Sequence, residues 1–243
     1  MSAIDNPDLE VDILRDVGAL AARLPEWAER AVVGTAYFAV PAALTAVVLL
    51  AWLAVRRHPD APQAVAAVAW SALAAVVAFL VNIPIRGFVA RPRPFEDHPD
   101  AVTVLTGGHG TPTGYSFVSD HASVAMAVAV GLFLVHRGLG AAACGLALVQ
   151  GFTQVLMGVH YPTDVIGGFA LGTAVALLLA PLAMAVLTPL ARRCGRSRRL
   201  RRLVVARPGA DEGADGGSPE PAGRSGERDG AEHPVAKQRG LAA

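Results

Sequence analysis

Long apolar runs constrain the fold of this chain more than any other feature. Crossing the hydrocarbon core of a bilayer as a helix takes about 20 predominantly apolar residues. Five runs approach or exceed that length, and they occupy residues 31–55, 63–85, 117–135, 139–159 and 165–190. Hydrophobic residues make up 53% of the sequence and charged residues 17%, whereas soluble domains have about 45–50% and about 25%. The sequence therefore predicts an all-α fold, a polytopic helical membrane bundle of about five transmembrane helices within residues 31–190.

The segment before the first run, residues 1–30, has the pattern of an N-terminal amphipathic helix. Asn6 suits an N-cap and Pro7 suits the first helical position, so we expect a helix to begin there. Apolar residues then recur at spacings of three and four, with Glu10 on the opposite, charged face. They are Leu9, Ile13, Val17, Leu20 and Leu24. Pro25 ends the pattern. This helix is expected either to lie in the membrane interface or to pack on the protein's own extramembrane loops.

The juxtamembrane segment behind the last run, residues 191–205, is strongly basic. Its arginines are Arg192, Arg193, Arg196, Arg198, Arg199, Arg201 and Arg202. Because positive charge favours the cytoplasmic side of a membrane protein, the C-terminus is expected in the cytoplasm of the cell. Five spans then place the 86–115 loop and the loop at His160 on the extracytoplasmic side. Residues 206–243 lack apolar periodicity and are predicted to form a disordered tail.

Polar residues stand at the ends of the apolar runs that this topology places on one side of the membrane. They are Arg86, Arg91, Arg93, Ser119, Asp120, His121, Gln154, His160 and Asp164. A histidine four residues before an aspartate is, taken alone, more often an interfacial cap than a catalytic pair. The second histidine and the external arginines favour catalysis, since anion binding explains arginines on this side. An imidazole attacks phosphorus well when an acceptor orients its other nitrogen, as Asp164 could for His160.

Together these segments resemble the three signatures of the type-2 phosphatidic acid phosphatase superfamily, which are Lys-x6-Arg-Pro, Pro-Ser-Gly-His and Ser-Arg-x5-His-x3-Asp. Their order, spacing and placement agree, and the resemblance extends over residues 63–190. It implies that His160 is the nucleophile, that Asp164 is its charge partner and that His121 is the general acid and base. The residues that it assigns to substrate binding are Arg86, Arg93, Ser119, Asp120 and Gln154.

Four departures from these signatures bear on the expected site. Arg86 replaces lysine and keeps the charge, Val118 replaces proline, and Asp120 replaces glycine. Ser-Asp-His at this place is similar to the bacterial polyprenyl-diphosphate phosphatases of the superfamily. Gln154 replaces an arginine and removes a charge from the expected phosphate site. Arg91, which the signatures do not use, is predicted as an auxiliary contact that offsets part of this loss.

The resemblance implies a membrane lipid phosphatase that works through a phosphohistidine intermediate. The favoured substrate is a polyprenyl diphosphate of cell-wall carrier recycling, such as undecaprenyl diphosphate, hydrolysed to the monophosphate. The alternative enzyme is a phosphatidic acid or phosphatidylglycerophosphate phosphatase. A further alternative is that the protein is not an active enzyme but a catalytically impaired membrane protein that binds lipid phosphates, as Gln154 and Val118 suggest. No metal or other cofactor is expected, because carboxylates and histidines do not stand at metal-ligand spacing. No nucleic-acid partner is expected, because the net charge is only +1 and the positive charge is local.

Overall fold

The fold is described by a computed structural model over residues 7–107, 110–197 and 200–205. All regular secondary structure in these ranges is helical, as the sequence predicted. The predicted disordered tail, residues 206–243, lies outside the described residues.

The helices of the described ranges follow one another without strands between them. In chain order they are α1 (Pro7–Ala21), α2 (Glu26–Gly34), α3 (Val40–Val55), α4 (Ala61–Val89), α5 (Pro94–Asp97), α6 (Asp120–Phe133), α7 (Arg137–Leu156), α8 (Pro162–Leu178), α9 (Ala180–Arg196) and α10 (Arg201–Val204). A π-helical turn, Thr35–Ala39, joins α2 to α3, so that the two form one continuous stretch.

Four of the five predicted spans are long and apolar enough to cross a membrane. Among the described residues, Glu26–Val55, Ala61–Asp97 and Arg137–Leu156 meet the requirement alone, and α8 with α9 meets it as one bent pair. The third predicted span, residues 117–135, is shorter than expected. Its helix α6 has 14 residues, about 21 Å at 1.5 Å per residue, against about 30 Å of hydrocarbon. It begins only at Asp120, because the preceding residue is an extended N-cap.

Proline accounts for the bend in the last span. A single helix was expected over residues 165–190, but α8 and α9 meet at 52°. Pro181 lies in the first turn of α9. Proline lacks a backbone N–H and its ring clashes with the carbonyl four residues earlier, so a straight helix does not continue through this point. Pro189, by contrast, is accommodated inside α9.

Helix α6 is central in the bundle and packs against α4, α7 and α8. Its approach to α8 depends on glycine, because a Cβ at Gly172 would lie 2.3 Å from the carbonyl oxygen of Ser123. Helix α4 is joined to α8 by the indole of Trp70, which donates to the carbonyl of Ala176 at 3.0 Å. These contacts hold α6 and α4 against α8, the helix that begins next to His160.

The two ends of the bundle differ in chemistry. At one end the arginine-rich segment folds back on α3, where Trp52 donates to the carbonyl of Leu203 at 2.9 Å and Arg56 donates to that of Arg202. The opposite end carries the loop between α5 and α6 and the turn between α7 and α8. The polar signatures therefore gather at the end away from the basic segment.

Helix α1 packs on the signature-bearing end of the bundle. Leu14 is 1% exposed and lies in one cluster with Val102 and Tyr161. This packing matches the second of the two expectations for the helix, contact with the protein's own loops. The apolar face that the sequence pattern selected is not the buried face, since several of its members are exposed. They are Leu9, Ile13 and Leu20.

Candidate active site

The head of helix α8 brings His160 and Asp164 together. Tyr161 is the N-cap of α8, and its backbone N–H donates to Oδ2 of Asp164 at 2.8 Å in a capping box. The preceding turn needs Gly158, which has φ +69°, because a Cβ there would lie 2.7 Å from the carbonyl oxygen of Thr103. The turn and the cap together set the imidazole beside the carboxylate.

The imidazole of His160 is buried, with 4% exposure. Its Nδ1 lies 3.6 Å from Oδ2 of Asp164, which is the separation of an ion pair and too long for a hydrogen bond. Among the described residues Nδ1 has no hydrogen-bond partner. A small movement of either side chain would close this gap.

The carboxylate of Asp164 is fully buried, at 0% exposure, and three other groups donate to it. The hydroxyl of Ser116 and the backbone N–H of Tyr161 donate to Oδ2, and Nη1 of Arg91 donates to Oδ1 at 3.0 Å. These donors hold the carboxylate in place. Sequence reasoning missed Ser116, and its place three residues before Ser119 was the only signal.

Arg93 is buried, at 5% exposure, and its guanidinium binds backbone oxygens. Its three nitrogens donate to the carbonyl oxygens of Gly114 at 2.9 Å, Val159 at 3.0 Å and Thr113 at 3.3 Å. These bonds tie the loop before α6 to the residue that precedes His160. A guanidinium has five N–H groups, so two remain for an anion.

Arg91 is engaged by protein groups. Besides its bond to Asp164, it donates to Oγ1 of Thr163 at 2.9 Å and to Oε2 of Glu10 at 2.6 Å. Its guanidinium carbon lies 3.7 Å from the centre of the Tyr161 ring. Arg91, which was predicted as an auxiliary phosphate contact, therefore donates three hydrogen bonds to protein side chains, two of them to carboxylates.

Tyr161 supports this arrangement as a neutral phenol. Its hydroxyl donates to Oδ2 of Asp97 at 3.3 Å. Burial, followed by the negative charge of Asp97, raises the pKa of Tyr161 well above its ordinary value. The phenol therefore stays protonated at neutral pH and offers Arg91 an uncharged ring face.

A second polar cluster joins α4 to the head of α6. Nη1 of Arg86 lies 2.6 Å from Oδ2 of Asp120, and both side chains are about one-fifth exposed, at 22% and 20%. The buried amide of Asn82 donates to Oδ1 of Asp120 at 2.6 Å and to the carbonyl of Val118 at 2.8 Å. Sequence reasoning missed Asn82, although an asparagine inside an apolar run and one turn before Arg86 was a usable signal.

Ser119 and His121 stand at the head of α6. The hydroxyl oxygen of Ser119 caps the helix, and its backbone N–H donates to the carbonyl of Asp164 at 3.1 Å. This bond joins the heads of α6 and α8 directly. The ring of His121 meets Tyr37 edge to face with centroids 5.6 Å apart.

Gln154 lies on the buried face of α7, at 1% exposure, as its spacing predicted. Among the described residues its Nε2 has no hydrogen-bond partner. A buried amide donor without an acceptor costs free energy. A phosphate oxygen in the site would remove that cost.

An apolar cavity of about 460 Å³ opens between α3, α4 and α6 and is closed by one residue of α7. Asp120 and His121 form one end of it. The remaining lining residues are Pro41, Leu44, Thr45, Val48, Ala72, Ala75, Phe79, Val124, Ala125, Val128 and Gln150. The arrangement joins a polar site to a space suited to a hydrocarbon chain.

The structure brings the three signatures to one end of the bundle through direct bonds. Ser119 bonds to the α8 head, Arg93 to the residue before His160, and Arg86 to Asp120. Across the ranges for which positions are described, no three side chains of His, Cys, Asp or Glu lie together as a metal site requires. The site thus offers guanidinium and amide donors for an anion and two imidazoles for nucleophilic and proton-transfer chemistry.

Comparisons with known proteins agree with this chemistry. The sequence model of the PAP2 superfamily matches residues 64–188, just over half of the chain. The chain is 26% identical over 111 residues to undecaprenyl-diphosphatase BcrC of Bacillus subtilis, which covers 46% of this chain and 55% of that protein. It is 37% identical over 107 residues to decaprenylphosphoryl-5-phosphoribose phosphatase of Mycobacterium tuberculosis, with coverage of 43% and 55%. The chain thus spans about half the length of the curated relatives it matches.

A solved structure shares the fold. It is the crystal structure of a transmembrane PAP2 type phosphatidylglycerolphosphate phosphatase from Bacillus subtilis. The likeness has a TM-score of 0.55 at 20% identity and covers 76% of this chain and 90% of the other. This likeness concerns the fold alone, and it confirms the predicted all-helical, multi-pass membrane architecture.

Proposed function

The chain belongs to the PAP2 superfamily, and from that membership and the site geometry we propose that it is a membrane phosphatase acting on a polyprenyl-linked phosphate. The substrate of this proposal is a polyprenyl diphosphate, and the product is the monophosphate. One observation carries the proposal further than the others. The apolar cavity ends at His121 at the head of α6, and this head is hydrogen-bonded to the head of α8, where His160 and Asp164 form a buried pair.

The proposed reaction runs through a phosphohistidine on His160. Because Nδ1 faces Asp164, Nε2 is the nitrogen that attacks the terminal phosphorus. The P–N bond forms, the bond to the bridging oxygen breaks, and His121 protonates the leaving oxygen. Water then attacks phosphorus while His121 takes its proton, and inorganic phosphate leaves as the P–N bond breaks. Asp164 stabilises the positive charge on the imidazole in between.

Donors around the site support binding of the phosphate oxygens. Arg86 is partly exposed, Arg93 keeps two N–H groups, and Gln154 has an unpartnered Nε2 among the described residues. Such groups stabilise charge on the transferring phosphoryl group without a metal ion. We therefore propose that activity is independent of divalent cations.

The second candidate substrate is a polyprenyl phosphate that carries a phosphorylated sugar. The observation in its favour is the 37% identity to decaprenylphosphoryl-5-phosphoribose phosphatase, against 26% to undecaprenyl-diphosphatase. Both substrates join one polyprenyl chain to a terminal phosphate, so the cavity does not separate them. The side chains that donate to the headgroup must therefore discriminate between these two substrates.

The orientation in the membrane is also a proposal. The basic segment folds on α3 at the end of the bundle opposite the site. Under the positive-inside rule this supports a cytoplasmic C-terminus and a site on the extracytoplasmic side of the cell membrane. A reporter fused after Arg202 is expected to report cytoplasm, and one inserted in the 98–107 loop is expected to report the exterior. The reverse pair of results would contradict this orientation.

Phosphate release from a lipid panel tests the proposed function. The purified protein would be given undecaprenyl diphosphate, a polyprenyl-phosphoryl sugar phosphate, phosphatidic acid and phosphatidylglycerophosphate, each with and without EDTA. We expect the fastest release from the diphosphate, unchanged by EDTA, and inhibition by vanadate as a mimic of pentacoordinate phosphorus.

His160→Ala serves as the blank for that assay. His58→Ala is the matched control, because His58 is exposed at the opposite end of the bundle. Activity in His160→Ala near the parent level would overturn the nucleophile assignment. Fastest release from phosphatidic acid or phosphatidylglycerophosphate would overturn the polyprenyl assignment, and loss of activity in EDTA restored by magnesium would overturn the metal-free mechanism.

A further inference from the structure

Glu10, on the charged face of α1, reaches the candidate active site. Its Oε2 accepts from Arg91 at 2.6 Å and its Oε1 accepts from the backbone N–H of Thr163 at 3.3 Å. The Glu10 side chain is 13% exposed. Helix α1 lies outside residues 64–188, the part of the chain that the family model matches. A residue beyond the shared domain thus contacts the same guanidinium that holds Asp164.

The contacts form a row of alternating charge. Glu10 is paired with Arg91, Arg91 with Asp164, and Asp164 faces Nδ1 of His160 at 3.6 Å. Charges interact over such distances most strongly where water is excluded, and Asp164 is fully buried. The charge of Glu10, at one end of the row, therefore affects the electrostatic potential at His160, at the other end.

Removing the first carboxylate would change the charge that His160 meets. Arg91 would then have Asp164 as its single carboxylate partner. Its uncompensated positive charge would oppose the positive charge that develops on the imidazole when it attacks phosphorus. Its guanidinium would also lose the bond that fixes one of its nitrogens, and with it the angle at which it holds Asp164.

From these contacts we infer that Glu10 is a positioning residue for the phosphatase reaction. It holds Arg91 and balances its charge, so that Asp164 remains free to stabilise the imidazolium of His160. Glu10 does not touch substrate in this role. The inference rests on the proposed function, because it assumes that His160 is the nucleophile.

The test compares turnover with substrate binding in the full-length protein. Glu10→Gln keeps the size and an acceptor oxygen and removes the charge. We expect kcat for undecaprenyl diphosphate to fall about tenfold with KM unchanged, since the loss falls on charge that develops in the transition state. Glu10→Asp, which restores the charge on a shorter side chain, should recover part of kcat.

Two control variants separate this role from a general effect of charge on helix α1. Asp12→Asn makes the same charge change on α1 at an exposed residue that pairs with Arg15. Asp16→Asn makes that change at another exposed residue of the same helix. Both should keep kcat within about twofold of the parent, since neither side chain contacts the row of charges.

Each outcome decides the inference. Glu10→Gln with parent kcat, a change in KM alone, or an equal loss in Asp12→Asn or Asp16→Asn would overturn it while His160→Ala stays inactive. Those results leave the proposed function intact. Absence of activity in the parent on every lipid of the panel would overturn the proposed function and this inference with it. A tenfold loss in kcat confined to Glu10→Gln would support the inference.

Discussion

The two halves of the candidate site are built differently, although both stand at helix heads. At the head of α8, Asp164 is fully buried and accepts from a hydroxyl, a backbone N–H and a guanidinium. At the head of α6, Asp120 and Arg86 form a pair that is about one-fifth exposed, and His121 borders the cavity. The first half is closed by protein groups, whereas the second opens on an apolar space.

The difference follows the demands of phosphoryl transfer. Charge develops on the attacking imidazole, and fixed dipoles and charges lower the barrier most when they need not reorganise. The leaving group belongs to a lipid that must enter and depart, so its half needs room. We therefore expect substitutions in the closed half to act on turnover. Substitutions in the open half should act according to the substrate.

After the loss of the nucleophile in His160→Ala, the largest effect is expected from Asp164→Asn in the closed half. We expect kcat to fall about a thousandfold, because an amide cannot balance the charge on His160 and because its NH2 group would meet the donors that now bind the carboxylate. Phosphate release at saturating undecaprenyl diphosphate measures this, with Asp12→Asn as a control. A loss smaller than about tenfold would show that the carboxylate is not the charge partner of the nucleophile.

His121→Ala in the open half should show an effect that depends on the leaving group. Proton transfer by a positioned side chain contributes about 10²–10⁴-fold, so hydrolysis of a lipid diphosphate should slow about a hundredfold. Formation of the phosphohistidine from p-nitrophenyl phosphate, whose leaving group needs no proton, should slow less than about fivefold. The initial burst of p-nitrophenol measures this step before the one in which His121 acts as a base. Equal losses on the two substrates would remove the general-acid role from His121.

The sequence predicted the features of the site that depend on residues close together in the chain. His160 and Asp164 are four residues apart, and the capping box at Tyr161 brings them together. Gln154 likewise lies on the face that helical spacing selected. The chemical roles predicted for the site residues stay predictions, and the variants described above test them.

The parts that could not be predicted depend on partners far away in sequence. The sequence predicted only that Glu10 lies on the charged face of α1, because its partner Arg91 is 81 positions away. Ser116 and Asn82 reach carboxylates 48 and 38 positions away. Hydropathy also placed the start of the third span at residue 117. It does not detect that the backbone is still extended at Ser119 and becomes helical only at Asp120.

Gln154→Arg should raise activity in the closed half. Its Nε2 has no partner in the described part of the chain, and a charge-assisted bond to phosphate is worth about 1.5–3 kcal/mol. We expect kcat/KM to rise about tenfold and the unfolding temperature without ligand to fall, because an unpaired charge would be buried. Vanadate should restore that temperature. Gln154→Met, which lacks a donor, should lower kcat/KM, and a parent-like Gln154→Arg would place this residue away from the phosphate.

Filling the cavity should affect the open half through chain binding. Ala125 is 2% exposed and lines the cavity, so Ala125→Leu would occupy space proposed for the polyprenyl chain. We expect KM for undecaprenyl diphosphate to rise about fivefold, the cost of roughly one lost hydrophobic contact. A diphosphate with a two-unit chain should be unaffected. Ala170→Leu, at an exposed position on α8, is the control, and equal effects on both chain lengths would exclude the cavity as the chain site.

The smallest effect is expected from Ser116→Ala, although Ser116 donates to the central carboxylate. Two consequences oppose each other. Loss of the hydroxyl removes one stabilising donor from Asp164, but it also frees Oδ2 for Nδ1 of His160, which now lies 3.6 Å away. The backbone N–H of Tyr161 and the guanidinium of Arg91 still hold the carboxylate.

We therefore expect kcat of Ser116→Ala within about threefold of the parent, the scale of one neutral hydrogen bond of about 0.5–1.5 kcal/mol partly offset by the new contact. Ser123→Ala is the control, since that hydroxyl donates to the carbonyl of Ser119 within α6. A loss above about thirtyfold would mean that the serine proton takes part in the reaction. The closed half would then depend on a neutral donor to its carboxylate as much as on the charge of Arg91.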